Sequence, residues 1–157
     1  MQSIQITENN KQRTNALIES LTQLWESSVR ASHDFLSDAD INSLKPYVRE
    51  ALKSIETLVV ATDNGGYVAF MGLQERKIEM LFVSPEYFGK GIGRCLVDLA
   101  VNEYGAVYVD VNEQNPKAAG FYRHLGFAVF RRDAVDDQGN AFPILRMKLI
   151  KDDGQGV

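Results

Sequence analysis

The sequence is poor in the residues that build disulfides and metal sites. It has one cysteine, Cys95, and two histidines, His33 and His124, among its 157 residues. A lone cysteine excludes an internal disulfide, and its place beside Leu96 and Val97 predicts a buried packing residue rather than a nucleophile. The histidines have no cysteine partner nearby in the sequence, so we expect no metal site.

Long apolar runs and an excess of basic residues are also missing. Without a membrane-length apolar run or a signal peptide, we expect a cytoplasmic chain with no membrane partner. Seventeen basic residues against 21 acidic ones give a net charge of −4, which argues against non-specific binding to nucleic acid. The same balance is compatible with a cationic, amine-bearing substrate. The length predicts one domain over residues 1–150, followed by a frayed tail over 151–157.

The most informative segment that is present is KIEMLFVSPEYFGKGIG, residues 77–93. Its apolar run predicts a buried strand, and its three glycines, Gly89, Gly91 and Gly93, stand where a helix begins. A helix start presents unpaired N–H donors and a partial positive charge, which suits a phosphate. Lys90 and Arg94 add full positive charge. The segment therefore predicts a phosphate-bearing ligand.

The glycine spacing leaves more than one ligand class open. A mononucleotide loop would read G-x-x-x-x-G-K-[ST], and no Ser or Thr follows the Gly-Lys pair here. A dinucleotide loop would read G-x-G-x-x-G, and the third glycine comes one residue early. Asp110 nevertheless lies about 20 residues farther on, where a ribose-binding acid is expected. A nucleotide-binding oxidoreductase therefore stays an alternative at this point.

The order of apolar segments weighs against that alternative. A strand over 3–7 and two amphipathic helices, the second starting near Ser37 or Asp38, are predicted to precede an antiparallel meander over 57–62, 67–73 and 78–83. We expect Pro46 to break or kink the second helix. A helix over 91–104, a strand over 106–111, a helix over 116–125 and strands over 127–132 and 143–150 should follow. A dinucleotide fold places its glycine loop after the first strand, not after a meander.

The segment after the loop helix carries a family resemblance. Residues 106–127 read AVYVDVNEQNPKAAGFYRHLGF, and together with FGKGIGRCL they resemble the GNAT superfamily of acetyl-CoA-dependent N-acetyltransferases, particularly its small bacterial members. The resemblance implies an α/β (α+β) fold. Its sheet is mixed and strongly twisted, with about seven strands, about four flanking helices and a splay between strands 4 and 5. One residue departs from the family pattern, because Phe88 stands where Arg or Gln usually precedes the first loop glycine.

The resemblance also implies the activity and its partners. An acetyl group would pass from acetyl-CoA to a primary amine, on a small molecule, a protein lysine or a protein N-terminus, by direct attack in a ternary complex. The acting form would be a monomer or a homodimer. A non-catalytic sensor that binds acyl-CoA on the same fold is the alternative from a different class.

The cofactor-binding residues follow from the same resemblance. Backbone N–H groups along the loop should bind the pyrophosphate, and the preceding strand should pair with the pantetheine amides as an added strand would. Asn115 is either a cofactor contact or only a helix N-cap, and both roles are compatible. The predicted contacts are Leu81, Phe82, Val83, Phe88, Gly89, Lys90, Gly91, Ile92, Gly93, Arg94, Asn115 and Tyr122.

Three side chains are candidates for the chemistry. A phenol with a pKa near ~10 stays protonated at neutral pH, so Tyr122 could donate a proton to the departing thiolate; a buried aromatic is the other interpretation. Glu79 shares a strand face with Leu81 and Val83 and is the leading base, or else an exposed strand charge. His33 lies where the resemblance places the wall of the acceptor site, and could serve as a base or only in packing.

Overall fold

The computed structural model describes residues 4–9 and 12–150, and the predicted tail over 151–157 lies outside these residues, as does Ser3 of the predicted first strand. The elements are β1 (Ile4–Glu8), α1 (Asn15–Ser32), α2 (Asp38–Ser54), β2 (Thr57–Asp63), β3 (Gly66–Gln74), β4 (Lys77–Val83), a 3-10 turn (Pro85–Tyr87), α3 (Ile92–Tyr104), β5 (Tyr108–Asn112), α4 (Pro116–His124), β6 (Phe127–Asp133) and β7 (Ile144–Leu149).

All seven strands form one mixed sheet in the order β1-β2-β3-β4-β5-β7-β6. Strand β1 pairs antiparallel with β2 across the two intervening helices, and β2, β3 and β4 form an antiparallel meander. The β2–β3 turn places Asn64 and Gly65 at φ values of 52° and 85°, and Glu75 takes φ 56° in the β3–β4 turn. Positive φ at consecutive turn residues matches the twist of a two-residue hairpin. The predicted meander over β2, β3 and β4 is confirmed, as is the mixed α/β fold class.

The sheet separates two apolar cores because side chains along a strand alternate between its faces. In β2, Leu58 and Val60 pack into a core that contains buried residues of α1 and α2. Val59 and Ala61 point the other way, into a core with buried residues of α3 and α4. Each large apolar side chain that is fully buried contributes about 1.5–3 kcal/mol. Both faces are therefore covered, and the site must lie at an edge or a gap of the sheet.

One sequence expectation fails in the helices. Cys95 is exposed, because the buried face of α3 is formed by Ile92, Leu96, Val97 and Ala100, and residue 95 lies off that stripe. Helix α2 runs unbroken through Pro46, so of the two outcomes expected there, a break or a kink, the break does not occur. A capping box from Ser37 to Asp40 fixes its start, and buried residues on both sides of the proline hold the two halves in place.

Candidate active site

A cleft opens where β4 and β5 separate. These parallel strands pair only at Lys77 with Tyr108 and at Ile78 with Val109. Beyond these pairs, the remaining residues of β4 and of β5 line a cleft of about 770 Å³, together with the end of α1, the glycine loop and the start of α4. The splay that the resemblance implied is thus present, and it leaves one side of β4 free to pair with an extended ligand.

The cleft brings together most of the predicted site residues. Its lining includes His33, Glu79, Leu81, Phe82, Val83, Phe88, Gly89, Gly91, Ile92, Gly93, Arg94, Asn115 and Tyr122. Lys90 is the exception, because its Nζ atom lies 5.3 Å from the ring centroid of Tyr87, and it is not a lining residue. Lys90 can therefore offer the ligand its backbone N–H from the loop, while its ammonium group lies over the tyrosine ring.

The glycine loop fits an anionic ligand. Gly91 is the N-cap of α3 with φ 87°, and no side chain caps the first turn, which also has no acidic residue. A Cβ atom added at Gly89 or Gly91 would have no neighbour within 4 Å, so these glycines are required by their positive φ and not by crowding. The first-turn N–H groups of α3 are thus left for a ligand. They suit the pyrophosphate of acetyl-CoA.

Tyr122 lies at the floor of the cleft. Its ring packs edge-on against Phe121 and Phe127, with centroid distances of 5.0 and 5.6 Å, and the residue is only 7% exposed. Burial raises the pKa of its phenol far above the usual value, so the hydroxyl is protonated throughout the neutral range. No hydrogen bond occupies this hydroxyl among the residues that the structure describes, which leaves it available as a donor.

Glu79 lines the cleft on the exposed side of β4. Its side chain is 37% exposed, and its Oε1 atom lies 3.7 Å from Nζ of Lys77. Burial raises the pKa of the carboxyl above its ordinary value; Lys77 opposes the increase, while Asp110 and Asp137 add to it. A raised pKa makes this carboxylate a better proton acceptor than an exposed glutamate.

Lys77 and Glu79 belong to a larger charged cluster around Arg146. Nη1 of Arg146 lies 2.6 Å from Oδ2 of Asp110, its Nε 2.7 Å from Oδ2 of Asp133, and its Nη2 3.1 Å from Oδ1 of Asp137. Lys77 Nζ binds the same Asp110 oxygen at 2.5 Å. Because Asp110 is paired with two cations, the ribose-binding role considered for it has no support.

The sequence did not reveal Arg146. It faces Asp110 in the antiparallel pairing of β5 with β7, and these strands are separated in the chain by α4 and β6. A polar Asp110 between the buried Val109 and Val111 was a signal that a partner was needed, but only the strand register identifies it.

His33 is tied into a hydrogen-bonded chain. Its Nε2 atom lies 3.2 Å from Nδ2 of Asn115, and its Nδ1 atom lies 2.8 Å from Oγ of Ser32. Burial lowers the pKa of the imidazole, and Asp34 partly opposes this. The ring also lies 5.3 Å from that of Phe35, which in turn lies 6.2 Å from Phe142 in the β6–β7 loop. The segment after α1 is thus held at the cleft, which His33 and Asp34 line.

Asn115 has the capping role that the sequence predicted. Its side chain accepts a hydrogen bond from the backbone N–H of Ala118, 3.2 Å away, and Pro116 occupies the first turn of α4.

Within residues 4–9 and 12–150, no helix has both the length and the apolar content that crossing a bilayer requires. The same residues hold no group of three or more His, Cys, Asp or Glu side chains that could bind a metal ion.

Comparison with known proteins agrees with this geometry. The family model described as an acetyltransferase (GNAT) domain matches residues 54–129. The peptidyl-lysine N-acetyltransferase YjaB of Salmonella typhimurium is 40% identical over 129 residues, covering 82% of this chain and 89% of that protein. The solution structure of apo YjaB from Escherichia coli has a TM-score of 0.82 and 36% identity, covering 94% of this chain and 97% of that one.

A more distant neighbour supports the fold alone. The PaiA N-acetyltransferase of Thermoplasma acidophilum, solved in complex with coenzyme A, has a TM-score of 0.67 and 20% identity over 94% of this chain and 99% of its own.

These findings decide between the function classes. The prediction of an enzyme that transfers an acetyl group from acetyl-CoA to an amine is confirmed. The oxidoreductase alternative is wrong, because the glycine loop follows the three-stranded meander β2–β4 and not the first strand of the sheet. The chain belongs to the GNAT superfamily of acetyl-CoA-dependent N-acetyltransferases.

Proposed function

We propose that this acetyltransferase modifies the side-chain amine of lysine in proteins or peptides, by direct attack of the amine on the thioester. The similarity to a peptidyl-lysine N-acetyltransferase supports this acceptor. The observation that carries the proposal is the charge at the β4–β5 end of the cleft. Two carboxylates, Glu79 and Asp110, line the cleft there, and they belong to a network that also includes the carboxylates Asp133 and Asp137 and the cations Lys77, Arg131 and Arg146. An incoming ammonium would balance the excess negative charge.

The backbone of the cleft would hold the co-substrate. The N–H groups at the start of α3 would bind the pyrophosphate, and the free side of β4 from Leu81 to Val83 would pair with the pantetheine amides. Such positioning supplies much of the rate increase in a two-substrate reaction, because it replaces a bimolecular encounter with an oriented contact. The bound thioester supplies an activated acetyl carbon.

Glu79 is proposed to take the proton from the lysine ammonium, directly or through one water. A lysine amine has an ordinary pKa near ~10.4, so most of it arrives protonated at neutral pH. The raised pKa of Glu79 reduces the difference in pKa between the lysine ammonium that donates the proton and the carboxylate that accepts it. The neutral nitrogen then forms the C–N bond to the acetyl carbon as the C–S bond breaks.

Tyr122 is proposed to give its hydroxyl proton to the departing sulfur. A thiol has a pKa near ~8.5, well below that of the buried phenol. Because the phenol is the weaker acid, its O–H group acts first as a hydrogen-bond donor that stabilises the negative charge developing on sulfur during C–S cleavage, and its proton moves to sulfur only as the phenol is itself reprotonated. The hydroxyl then recovers a proton from solvent or from the acid formed at Glu79.

Direct attack is favoured over an acetylated enzyme. The lone cysteine of the chain, Cys95, is exposed on α3, and it is not among the residues that line the cleft. A Cys95→Ser variant should therefore retain turnover. It also removes the exposed thiol that would react with the dyes used to follow release of CoA.

The acceptor is tested with three matched peptides, each incubated with acetyl-CoA and analysed by mass spectrometry. One has blocked termini and a single lysine, the second replaces that lysine by arginine, and the third has a free N-terminus and no lysine. We expect one acetyl group on the lysine peptide alone. Acetylation of only the free N-terminus, or of only a polyamine added in parallel, would contradict the proposed acceptor. CoA release with no acceptor modified would favour a binding module with slow hydrolysis.

The oligomeric state belongs to the same proposal. The chain is proposed to act on an amine as a monomer or a homodimer, and its charge and apolar content predict a cytoplasmic protein that binds neither nucleic acid nor membrane. Light scattering on the purified chain, with and without acetyl-CoA, distinguishes the two assemblies.

A further inference from the structure

We infer that His33 is a positioning residue: its imidazole carries a proton on Nδ1 and uses Nε2 to hold the Asn115 amide, which fixes the start of α4. This assigns to His33 a role other than that of a base. The activity measurements below rest on the proposed function, whereas the spectroscopic ones do not.

The orientation of Asn115 determines which histidine nitrogen is protonated. Its Oδ1 atom accepts the hydrogen bond from Ala118 N–H, so its NH₂ group is the one that faces His33 Nε2 at 3.2 Å. An NH₂ group can only donate, so Nε2 must present its lone pair. In the neutral ring the proton then sits on Nδ1.

The other side of the ring agrees with this tautomer. Oγ of Ser32 lies 2.8 Å from Nδ1 of His33 and donates its own hydrogen to the carbonyl oxygen of Ser28, 2.7 Å away. The Ser32 oxygen is therefore available to accept the Nδ1 proton. Hydrogen bonds therefore run in one direction, from Asn115 to His33, from His33 to Ser32 and from Ser32 to the carbonyl of Ser28. Every donor in this series faces an acceptor.

The surroundings of the ring favour its neutral form. Burial lowers the pKa of His33, and Asp34 is the charged group that acts against this among the described residues. Its hydrogen-bond partners Ser32 and Asn115 and the neighbouring ring of Phe35 carry no charge. A base would need a free lone pair, and here the Asn115 amide occupies that of Nε2.

The hydrogen bond joins opposite walls of the cleft. His33 follows α1 on the acceptor side, while Asn115 caps α4, and both line the cleft. Tyr122 lies on α4 about two turns after this cap. Loss of the bond should therefore loosen the first turn of α4 and misplace the proposed acid, with a larger effect on kcat than on the KM for acetyl-CoA.

Two amide substitutions separate the roles, because neither can act as a base. His33→Gln places an amide oxygen near the position of Nε2, where it can accept from Asn115. His33→Asn is too short to reach Asn115 and mimics only the Nδ1 side. We expect kcat of the glutamine variant to stay within about 3-fold of the native enzyme, and kcat of the asparagine variant to fall by about 10-fold or more. Equal loss in both would show that the ring itself is needed, and no loss in either would show that the bond has no role; each overturns the inference.

Nitrogen NMR tests the tautomer without turnover. We expect the His33 ring to show a protonated Nδ1 and an unprotonated Nε2, with the exposed His124 assigned through His124→Gln as a reference. Asn115→Asp keeps an oxygen for the α4 cap but sets a carboxylate against Nε2. It should therefore raise the pKa of His33 and move the proton to Nε2. A native ring protonated on Nε2, or a pKa of His33 that Asn115→Asp leaves unchanged, would overturn the inference even if no acceptor is acetylated.

Discussion

The two ends of the cleft offer a ligand different kinds of chemical group. At the α3 end, the groups offered to a ligand are backbone N–H donors at Gly91 and its neighbours, with no capping side chain. At the β4–β5 end, the groups are the side chains of Glu79 and Asp110, and Arg146, which is not a lining residue, pairs with Asp110 and with two further carboxylates. The first end can bind any ligand with the right phosphate geometry. Binding at the second end depends on which side chains the sequence places there.

This difference assigns the two recognition tasks. Backbone donors change little when side chains change, so the α3 end suits a co-substrate shared by the whole superfamily. Charged side chains can be exchanged singly, so under the proposed function the β4–β5 end would set the selectivity for an acceptor. Substitutions that affect the two ends separately test this division.

The largest effect is expected at Tyr122, the buried tyrosine that lines the cleft. Tyr122→Phe keeps the ring packed against Phe121 and Phe127 and removes only the hydroxyl. We expect kcat to fall by about 10²-fold or more, because the proton donor to sulfur is lost, while acetyl-CoA affinity by calorimetry changes little. Tyr47→Phe, on the exposed face of α2, is the matched control. Native kcat in the Tyr122 variant would leave the residue with a packing role only.

A charge placed at the α3 end should weaken co-substrate binding. Gly91→Asp puts a carboxylate where the pyrophosphate is proposed to bind, and we expect acetyl-CoA affinity to fall by about 10- to 100-fold. Gly91→Asn has nearly the same shape and also tolerates positive φ, so it controls for the backbone strain at φ 87°. Similar losses in both variants would mean that conformation, and not charge, sets the affinity.

Removing the carboxylate of Glu79 should change how the reaction rate depends on pH. Glu79→Gln is expected to lower the rate by about 10-fold near pH 7, where the amine arrives protonated, and by less near pH 9, where solvent removes the proton. A rate ratio that does not vary with pH would assign Glu79 to binding instead of proton transfer.

The same substitution should have the opposite effect on stability. Because burial raises the pKa of Glu79 in the folded state, its ionised form is disfavoured there. That cost is absent below the ordinary glutamate pKa, and it grows as the pH rises through the folded-state value. Glu79→Gln should therefore raise Tm modestly at neutral pH and leave it unchanged near pH 4. A lower Tm at neutral pH would mean that the contact with Lys77 outweighs burial.

The smallest effect is expected at Phe88, the departure from the family pattern. Its side chain is exposed and lines the cleft beside the loop. Phe88→Arg should leave acetyl-CoA affinity unchanged or increase it by up to about 3-fold, with a steeper salt dependence, since an exposed ion pair contributes little. Phe88→Gln is the uncharged comparison. Weaker binding in both variants would show that the aromatic ring itself contacts the co-substrate.

Local structure was predictable wherever a residue type fixes the backbone by itself. Asn64 and Gly65 tolerate positive φ, and Asn115 and Pro116 are typical of a helix start, so the sequence predicts the β2–β3 turn and the start of α4. The fold as a whole and the residues gathered at the cleft came from the resemblance, not from periodicity.

Contacts between distant segments were not predictable. The pair of Asp110 with Arg146 depends on the register of strands that are not consecutive in the chain. The bond between His33 and Asn115 joins segments 82 residues apart. Cys95 was also mispredicted, although only its own helix is involved. Cysteine is often buried, but the larger apolar residues of α3 form the buried face and leave residue 95 exposed.

The short β4–β5 ladder has a consequence for the free enzyme. With two residue pairs joining these strands, β4 is an edge strand over most of its length although it lies in the middle of the sheet. Edge strands attract other extended chains and promote aggregation unless they are protected. In this fold the protection is that the edge faces a narrow cleft, which an extended small molecule can enter more easily than a second protein. The opening that admits the co-substrate thus also shields the edge from neighbouring chains.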